Sequence, residues 1–319
     1  MTSTASSVTG LIVAHHLGEA AGGLVAAHPA VAEARTIDLT RRWDLPTDVD
    51  VVFALHSATD PTAHHVPRPT GWPGRVKFVQ LASSGSDGYP EWLGDGPVVA
   101  SSAGTSAPAI AEFVLAAMLM VEKRLPEMVV TDGVWTPQAM VVARPLGTLD
   151  GRTLGLLGVG EIGSRVAALA TAFNMTVVAH RRSQAAIDGI ELVSFEDLLR
   201  RSDHLVIAAP LTAATSGMIG TDALSRVKSG VHIVNIARGG LIDTAALIAA
   251  LKAGRVGFAS LDVTDPEPLP PGHPLWTAPN VRITPHIAWS SPRTGQRIFT
   301  LFGENVARFA RGERLINQL

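Results

Sequence analysis

Along this chain, short runs of aliphatic and β-branched residues alternate with longer stretches whose apolar positions recur every three or four residues, the rhythm of strands separated by helices. In the first hundred residues the runs are Leu11–Ala14, Val51–Leu55, Lys77–Leu81 and Val98–Ala100, divided by Ala-rich or Pro/Gly-rich sequence. They predict a small α/β unit. In the segment that follows, Ile110, Phe113, Val114, Ala117, Met118 and Val121 fall on one helical face, with Ser106 placed to cap the helix and Pro108 in its first turn. Gly133, Trp135, Pro137 and Pro145 then break any period between Pro126 and Gly151, which reads as a connection.

Beyond that connection the alternation is regular. Strands are predicted at Thr153–Leu157, Thr176–Ala179, Leu205–Ala208, Val231–Ala237, Gly257–Val263 and Val281–Thr284. Helices separate them: one ending at Phe173, one opened by the Ser194-x-x-Asp197 capping pattern, one near Asp222–Val227, and one running from Thr244 to a stop at Gly254. Strands that are apolar on both faces and joined by helices imply a doubly wound parallel sheet. A last helix, Arg293 to about Arg311, is placed outside this sheet domain.

Composition narrows the chemistry. With 319 residues, 46% of them hydrophobic, the chain is long enough to bury two cores. Its 26 basic and 28 acidic residues leave a formal charge of -2 without a basic block, so nucleic acid is not expected as a partner. Zero cysteines exclude disulfides, thiol nucleophiles and cysteine-held zinc, and suit a reducing cytoplasm. The apolar run at Leu11–Ala14 is too short for a signal segment or a span, so no membrane association is expected. Adjacent histidines on a strand point apart, so His15-His16 and His64-His65 are not expected to hold a metal. His28, His56, His180, His204, His232 and His273 have no partner assignable from sequence and read as structural.

Directly after the strand ending at Leu157 comes Gly158-Val159-Gly160-Glu161-Ile162-Gly163, and behind it Ile162, Val166, Leu169 and Phe173 form the buried stripe of a helix. This strand, turn and helix is the setting of a dinucleotide site. Gly158 permits the tight turn, Gly160 lets backbone approach a pyrophosphate, and Gly163 lets the helix pack on its strand; the helix N-terminus then faces the anion. Where the next strand ends, an acidic residue would bind the ribose hydroxyls of NAD; Arg181 and Arg182 stand there instead. Paired guanidiniums suit a 2′-phosphate, so NADP(H) is favoured, with NAD(H) as the alternative.

Three more residues fall just past predicted strand ends, where ligands bind in an open parallel sheet. Arg238 follows VHIVNIA, Glu267 lies in the loop after ASLDV, and His286 follows VRIT. Reduction of a 2-oxo acid requires a cation to hold the carboxylate and polarise the carbonyl, an acid to protonate the developing alkoxide, and a group to favour the charged form of that acid. Arginine, histidine and glutamate fit those roles in turn, the glutamate favouring a protonated imidazole.

Several stretches, in order, resemble the D-isomer-specific 2-hydroxyacid dehydrogenase family along nearly the whole chain. LDGRTLGLLGVGEIGSRVA is similar to its nucleotide-binding start and DHLVIAAPLTAATSGMIG to its loop after the third strand; VNIARGGLIDTAALIAAL carries its arginine, ASLDVTDPEPLP its glutamate and PNVRITPHIAWSS its histidine. The resemblance implies that Arg238 binds substrate, Glu267 orients His286, and His286 is the general acid/base. It also implies that Asp262 contacts the carboxamide side of the nicotinamide, that Pro210, Thr215 and Ala237 border the cofactor, and that LASSGSDG binds the substrate carboxylate through Ser84 and Gly85, with Ser83 assisting. Trp289, three residues past His286, is a second substrate-side candidate, closing the pocket or packing at the domain crossing.

In architecture the resemblance implies two Rossmann-like domains: a nucleotide domain, residues 106–289, inserted in a smaller flavodoxin-like substrate domain of residues 1–105 plus 290–319. Closure of the two over substrate would exclude water. A homodimer is implied through the nucleotide domain and the Pro126–Gly151 segment. The function implied is a glyoxylate- or hydroxypyruvate-type reductase giving a D-2-hydroxy acid. Two alternatives share the scaffold: a formate- or phosphite-type dehydrogenase, against which a His286–Glu267 relay argues, and a nucleotide-sensing corepressor-like binding protein, which a basic tail or disordered interaction segment would favour. Two departures from the family are Arg181 at the acidic position and serines in the substrate loop.

Overall fold

The computed structural model describes residues 10–55, 65–128, 145–183 and 185–319. His56, His64 and most of the Pro126–Gly151 connection (129–144) lie outside the described residues. The chain divides into two compact units, Met1–Ser106 with Ser291–Leu319, and Ala107–Ser290.

The first unit is built on β1 (Leu11–His15), β2 (Val31–Thr36), β3 (Val51–Ala54), β4 (Phe78–Leu81) and β5 (Val98–Ala100). Their order is β2-β1-β3-β4-β5 with every neighbouring pair parallel, the flavodoxin-like arrangement. Helix α1 (Glu19–Ala26) joins β1 to β2. The C-terminal helix, Pro292–Ala310, covers one face, where Phe302 stacks on Phe53 with ring centroids 4.5 Å apart beside Val306 and Leu315. Ser291 caps that helix by accepting from the Thr294 N–H. On the other face Trp43, Val49, Tyr89 and Leu93 close over Val52 and Val79. Strand β2 escapes the hydrophobic pattern because it is an edge strand paired only with β1, and so keeps Glu33 and Arg35 among its residues.

The second unit opens with α2 (Ala107–Lys123) and holds seven parallel strands: β6 (Thr153–Leu157), β7 (Thr176–His180), β8 (Glu191–Leu192), β9 (His204–Ile207), β10 (Val231–Asn235), β11 (Val256–Leu261) and β12 (Val281–Ile283). The order is β12-β11-β10-β9-β6-β7-β8. Between them run α3 (Glu161–Ala172), α4 (Phe195–Arg201), α5 (Thr221–Arg226) and α6 (Thr244–Lys252). One face is covered by Ile110, Val114 and Met118 of α2 with Val166 and Ala170 of α3. On the other, Leu198, Leu224, Leu247 and Leu251 pack against Leu205, Ile233 and Ala259. Each fully buried leucine or isoleucine contributes roughly 1.5–3 kcal/mol, which makes this two-faced burial the main support of the sheet. Strand β8 is too short to show a period. Several strands end one or two residues before the apolar run does, so Ala208, Ala237, Val263 and Thr284 belong to loops. That offset matters, because the candidate site hangs on those loops.

Candidate active site

The strand order reverses between β6 and β9, and the glycine turn lies there. Gly158 has φ +93°, and a Cβ on it would come within 2.8 Å of Ala209 backbone, so only glycine lets the two strand ends approach. A Cβ on Gly163 would meet the Gly158 carbonyl oxygen at 2.8 Å, which explains the close seat of α3 on its strand. Gly160 differs. It is the N-cap of α3, a Cβ there would meet nothing within 4 Å, and Glu161 and Ile162 follow in the first turn. An open glycine beside first-turn N–H groups that have no partner within a helix is a cradle that fits a pyrophosphate.

Along the same edge, the Gly158 N–H donates to the His180 carbonyl at the end of β7 (2.9 Å). Arg181 follows, half-buried, with Nε donating to the Ser183 carbonyl (2.8 Å), and Arg182 is exposed. Past β9, the Thr215 hydroxyl donates to the Pro210 carbonyl (2.7 Å) and accepts from the Thr212 N–H (2.8 Å), closing that loop on itself.

Past β10 the arrangement tightens. Asn235, fully buried, donates from Nδ2 to the Arg238 carbonyl (2.9 Å) and accepts from the Ala237 N–H (3.1 Å), clamping the turn that presents Arg238. The Arg238 guanidinium donates to the Ala237 carbonyl (2.7 Å). A Cβ on Gly239 would fall 2.0 Å from the Thr264 carbonyl carbon, so this glycine lets the Arg238 turn sit against the loop that carries Glu267. There Glu267 Oε1 meets His286 Nδ1 at 2.6 Å, and Oε2 accepts from the Thr264 N–H at 3.2 Å. Both side chains are 39% exposed. Burial pushes the Glu267 carboxyl up, but the His286 hydrogen bond and charge, the Thr264 N–H and the Arg238 charge together outweigh it and hold the group below its usual range. Arg238, Glu267 and His286 are thus brought together.

His286 adopts φ +50°, a left-handed conformation unusual for a residue with a side chain. Its N–H donates to the Asp262 carbonyl (2.9 Å). The Asp262 carboxylate, only 2% exposed, accepts from the Thr284 hydroxyl (2.6 Å) and from the Ile287 and Ala288 N–H groups (both 2.9 Å). Asp262 therefore holds the whole loop on which His286 sits. Trp289 is half-exposed and its indole Nε1 donates to the His286 carbonyl (2.8 Å).

In the other unit, Ser84 and Gly85 follow β4. Ser84 is exposed, and the Ser83 hydroxyl donates to the Gly85 carbonyl (2.6 Å), curling the loop. Sequence reasoning passed over Asn235, Gly239 and the loop-holding role of Asp262. For Asn235 a signal existed: an amide closing the run Ile233-Val234 at the end of a buried strand. Of the two histidine pairs not expected to hold a metal, His15 and His16 each bond to backbone, at the Leu17 N–H for His15 and at the Arg42 carbonyl for His16, and His64 of the other pair lies outside the described residues. No three-residue metal cluster occurs among the described residues.

The profile of the D-isomer specific 2-hydroxyacid dehydrogenase NAD binding domain matches residues 115–288. A glyoxylate reductase of Aeropyrum pernix is 39% identical over 68% of this chain and 68% of its own length, and one of Thermofilum pendens is 33% identical over 75% and 73%. Among solved structures, a D-isomer specific 2-hydroxyacid dehydrogenase from Xanthobacter autotrophicus in complex with NADPH and MES is 26% identical, covers 98% of both chains and superposes with a TM-score of 0.76. With its glycine turn at the sheet's reversal and its Arg238, Glu267 and His286 on the adjoining loops, this chain belongs to the D-isomer specific 2-hydroxyacid dehydrogenase family of nicotinamide-dependent oxidoreductases.

Proposed function

We propose that the protein reduces a small 2-oxo acid, glyoxylate or hydroxypyruvate, to the D-2-hydroxy acid with NADPH as the preferred cofactor. The observation that carries this reading is the 2.6 Å bond between His286 Nδ1 and Glu267 Oε1 beside Arg238. The nicotinamide, when bound, supplies the hydride. Arg238 holds the substrate carboxylate and polarises the carbonyl, and Trp289 lines the substrate side; the family resemblance assigns substrate-carboxylate binding also to the backbone N–H groups of Ser84 and Gly85. His286 donates a proton from Nε2 to the carbonyl oxygen, and Glu267, kept as an acceptor, fixes the ring and its tautomer through Nδ1. In the reverse direction His286 takes that proton back.

The residues that would hold the cofactor are Gly158, Gly160, Glu161, Ile162 and Gly163 at the pyrophosphate, Pro210, Thr215 and Ala237 along its border, and Asp262 at the carboxamide side of the nicotinamide. Arg181 and Arg182 in place of an acidic residue support NADPH. Ala107–Ser290 is read as the nucleotide unit and the remainder as the substrate unit. A homodimer is supported by the family resemblance, and a cytoplasmic location by the cysteine-free sequence; no helix among the described residues is long and apolar enough to cross a membrane.

Initial rates over a panel of 2-oxo acids with NADPH and with NADH test the reading. Turnover of glyoxylate or hydroxypyruvate with NADPH preferred is expected. Equal or better rates with NADH would refute the Arg181 argument, and no turnover of any 2-oxo acid would refute the substrate class.

A further inference from the structure

His286 needs more holding than an ordinary loop residue. Its left-handed backbone is disfavoured for any side chain with a Cβ, so the surrounding bonds must over-determine it. Three anchors are visible: the N–H on the Asp262 carbonyl, the imidazole on Glu267, and the carbonyl on the Trp289 indole N–H. The first two act on the amide and the ring. The third acts on the carbonyl of the peptide leaving His286, whose rotation about Cα–C would release the left-handed turn, while the Ile287 N–H of that same peptide donates to the Asp262 carboxylate (2.9 Å).

The local chain brings that third anchor about. The Ser290 N–H donates to the Ile287 carbonyl (2.8 Å), making a turn that folds the Trp289 side chain back over His286. Burial accounts for only part of the ring's placement, since Trp289 is 48% exposed and its neighbour Ile287 47%. A large apolar side chain is kept at the surface while its one polar atom is engaged inward.

We propose that Trp289 is a positioning residue for His286: its indole N–H, bonded to the His286 carbonyl, fixes the backbone that aims the imidazole. This rests on the reading of His286 as the general acid/base. A role as substrate wall depends on the ring and is felt in KM. A role in positioning depends on the N–H and is felt in kcat, because proton transfer is steep in distance and angle.

The two are separable by replacing Trp289 with β-(3-benzothienyl)alanine, which keeps the bicyclic ring and removes only the donor, alongside Trp289→Phe. For each, kcat and KM would be measured for the 2-oxo acid turned over best with NADPH, together with NADPH affinity. The imidazole ¹⁵N signals of His286, identified by their loss in His286→Gln, would be recorded in the same proteins. The expected result for the isostere is a fall in kcat of about tenfold, the worth of one hydrogen bond expressed as a rate, with KM and NADPH affinity within twofold and the His286 ring signals shifted or broadened. Trp289→Phe should match it in kcat. An isostere with wild-type kcat and unmoved ring signals would overturn the proposal, as would a change confined to KM. Should His286→Gln prove as active as the wild type, the acid/base reading falls by itself, and the ring signals in the isostere still decide whether the indole positions the imidazole.

Discussion

Two histidine centres occupy the same parallel sheet, and they differ in what each ring nitrogen faces. His286 lies past a strand end, half-exposed, with Nδ1 anchored on Glu267 and its backbone tied down on both sides. His204, first in β9, and His232, second in β10, are 1% and 2% exposed. Their Nδ1 atoms face each other at 3.1 Å, His204 Nε2 meets Glu122 Oε1 of α2 at 3.2 Å, and His232 Nε2 meets the Ser260 hydroxyl of β11 at 2.9 Å. Glu122 as a carboxylate only accepts, so His204 donates from Nε2. With both rings neutral, His232 then donates from Nδ1, and Ser260 donates to His232 Nε2. All four nitrogens are taken up inside the unit. Such a chain satisfies buried polar atoms and leaves none for a substrate. At His286 one nitrogen is anchored, which is the condition for the other to do chemistry.

That contrast can be broken most sharply at His286. In His286→Gln, kcat is expected to fall about 10²–10⁴-fold, the range for a lost general acid, while NADPH affinity and Tm stay at wild-type values. A fall in Tm or in cofactor binding comparable with the fall in kcat would put His286 in the same structural class as His232. The converse substitution, His232→Leu, leaves His204 Nδ1 and the Ser260 hydroxyl buried without their partner, at a cost of roughly 1–3 kcal/mol for each group. Urea unfolding should therefore show a loss of about 2–6 kcal/mol, with kcat of the folded protein within about twofold. Lost activity at unchanged stability would mean that the buried chain serves the reaction after all.

The two centres were unequally legible in the sequence. His286 could be picked out because it followed an apolar run, stood downstream of a glycine turn, and kept the order Arg238, Glu267, His286 that loops past successive parallel strands bring together. Nothing comparable marked His204 and His232. Each is a single polar residue near the start of an apolar run, and their pairing depends on the register of β9 with β10, His232 opposite His204, which no local pattern encodes. The same limit hid Gly239, whose need to be glycine comes from Thr264, a neighbour only once β10 and β11 are paired. The doubly wound sheet itself was plain, since strands buried on both faces carry their own signal. Two of the four edge strands, β2 and β8, did not, because one is half polar and the other two residues long.

The smallest effect sharpens the contrast by pH. Burial pushes His232 well below its ordinary 6.5, with His204's charge acting the same way. As pH falls below 6.5 the unfolded chain takes up a proton at this position and the folded chain does not, so unfolding becomes easier and stability rises with pH through this window. Glu122, held low by His204 and Arg152 despite its burial, and Asp203, held low by Lys228 and Thr153 despite its own, titrate further down. They leave the interval between 6.5 and about 5 to histidines. His16, which burial lowers to about 4, contributes in the same direction from the other unit, so the wild-type slope alone does not isolate the pair. The difference between wild type and His232→Leu does: the variant's stability should depend on pH less steeply by up to one proton, about 1.4 kcal/mol per pH unit at most. Parallel slopes in the two proteins would show that His232 takes up its proton in the folded state, and the distinction between an anchored pair and a working imidazole would then rest on exposure alone.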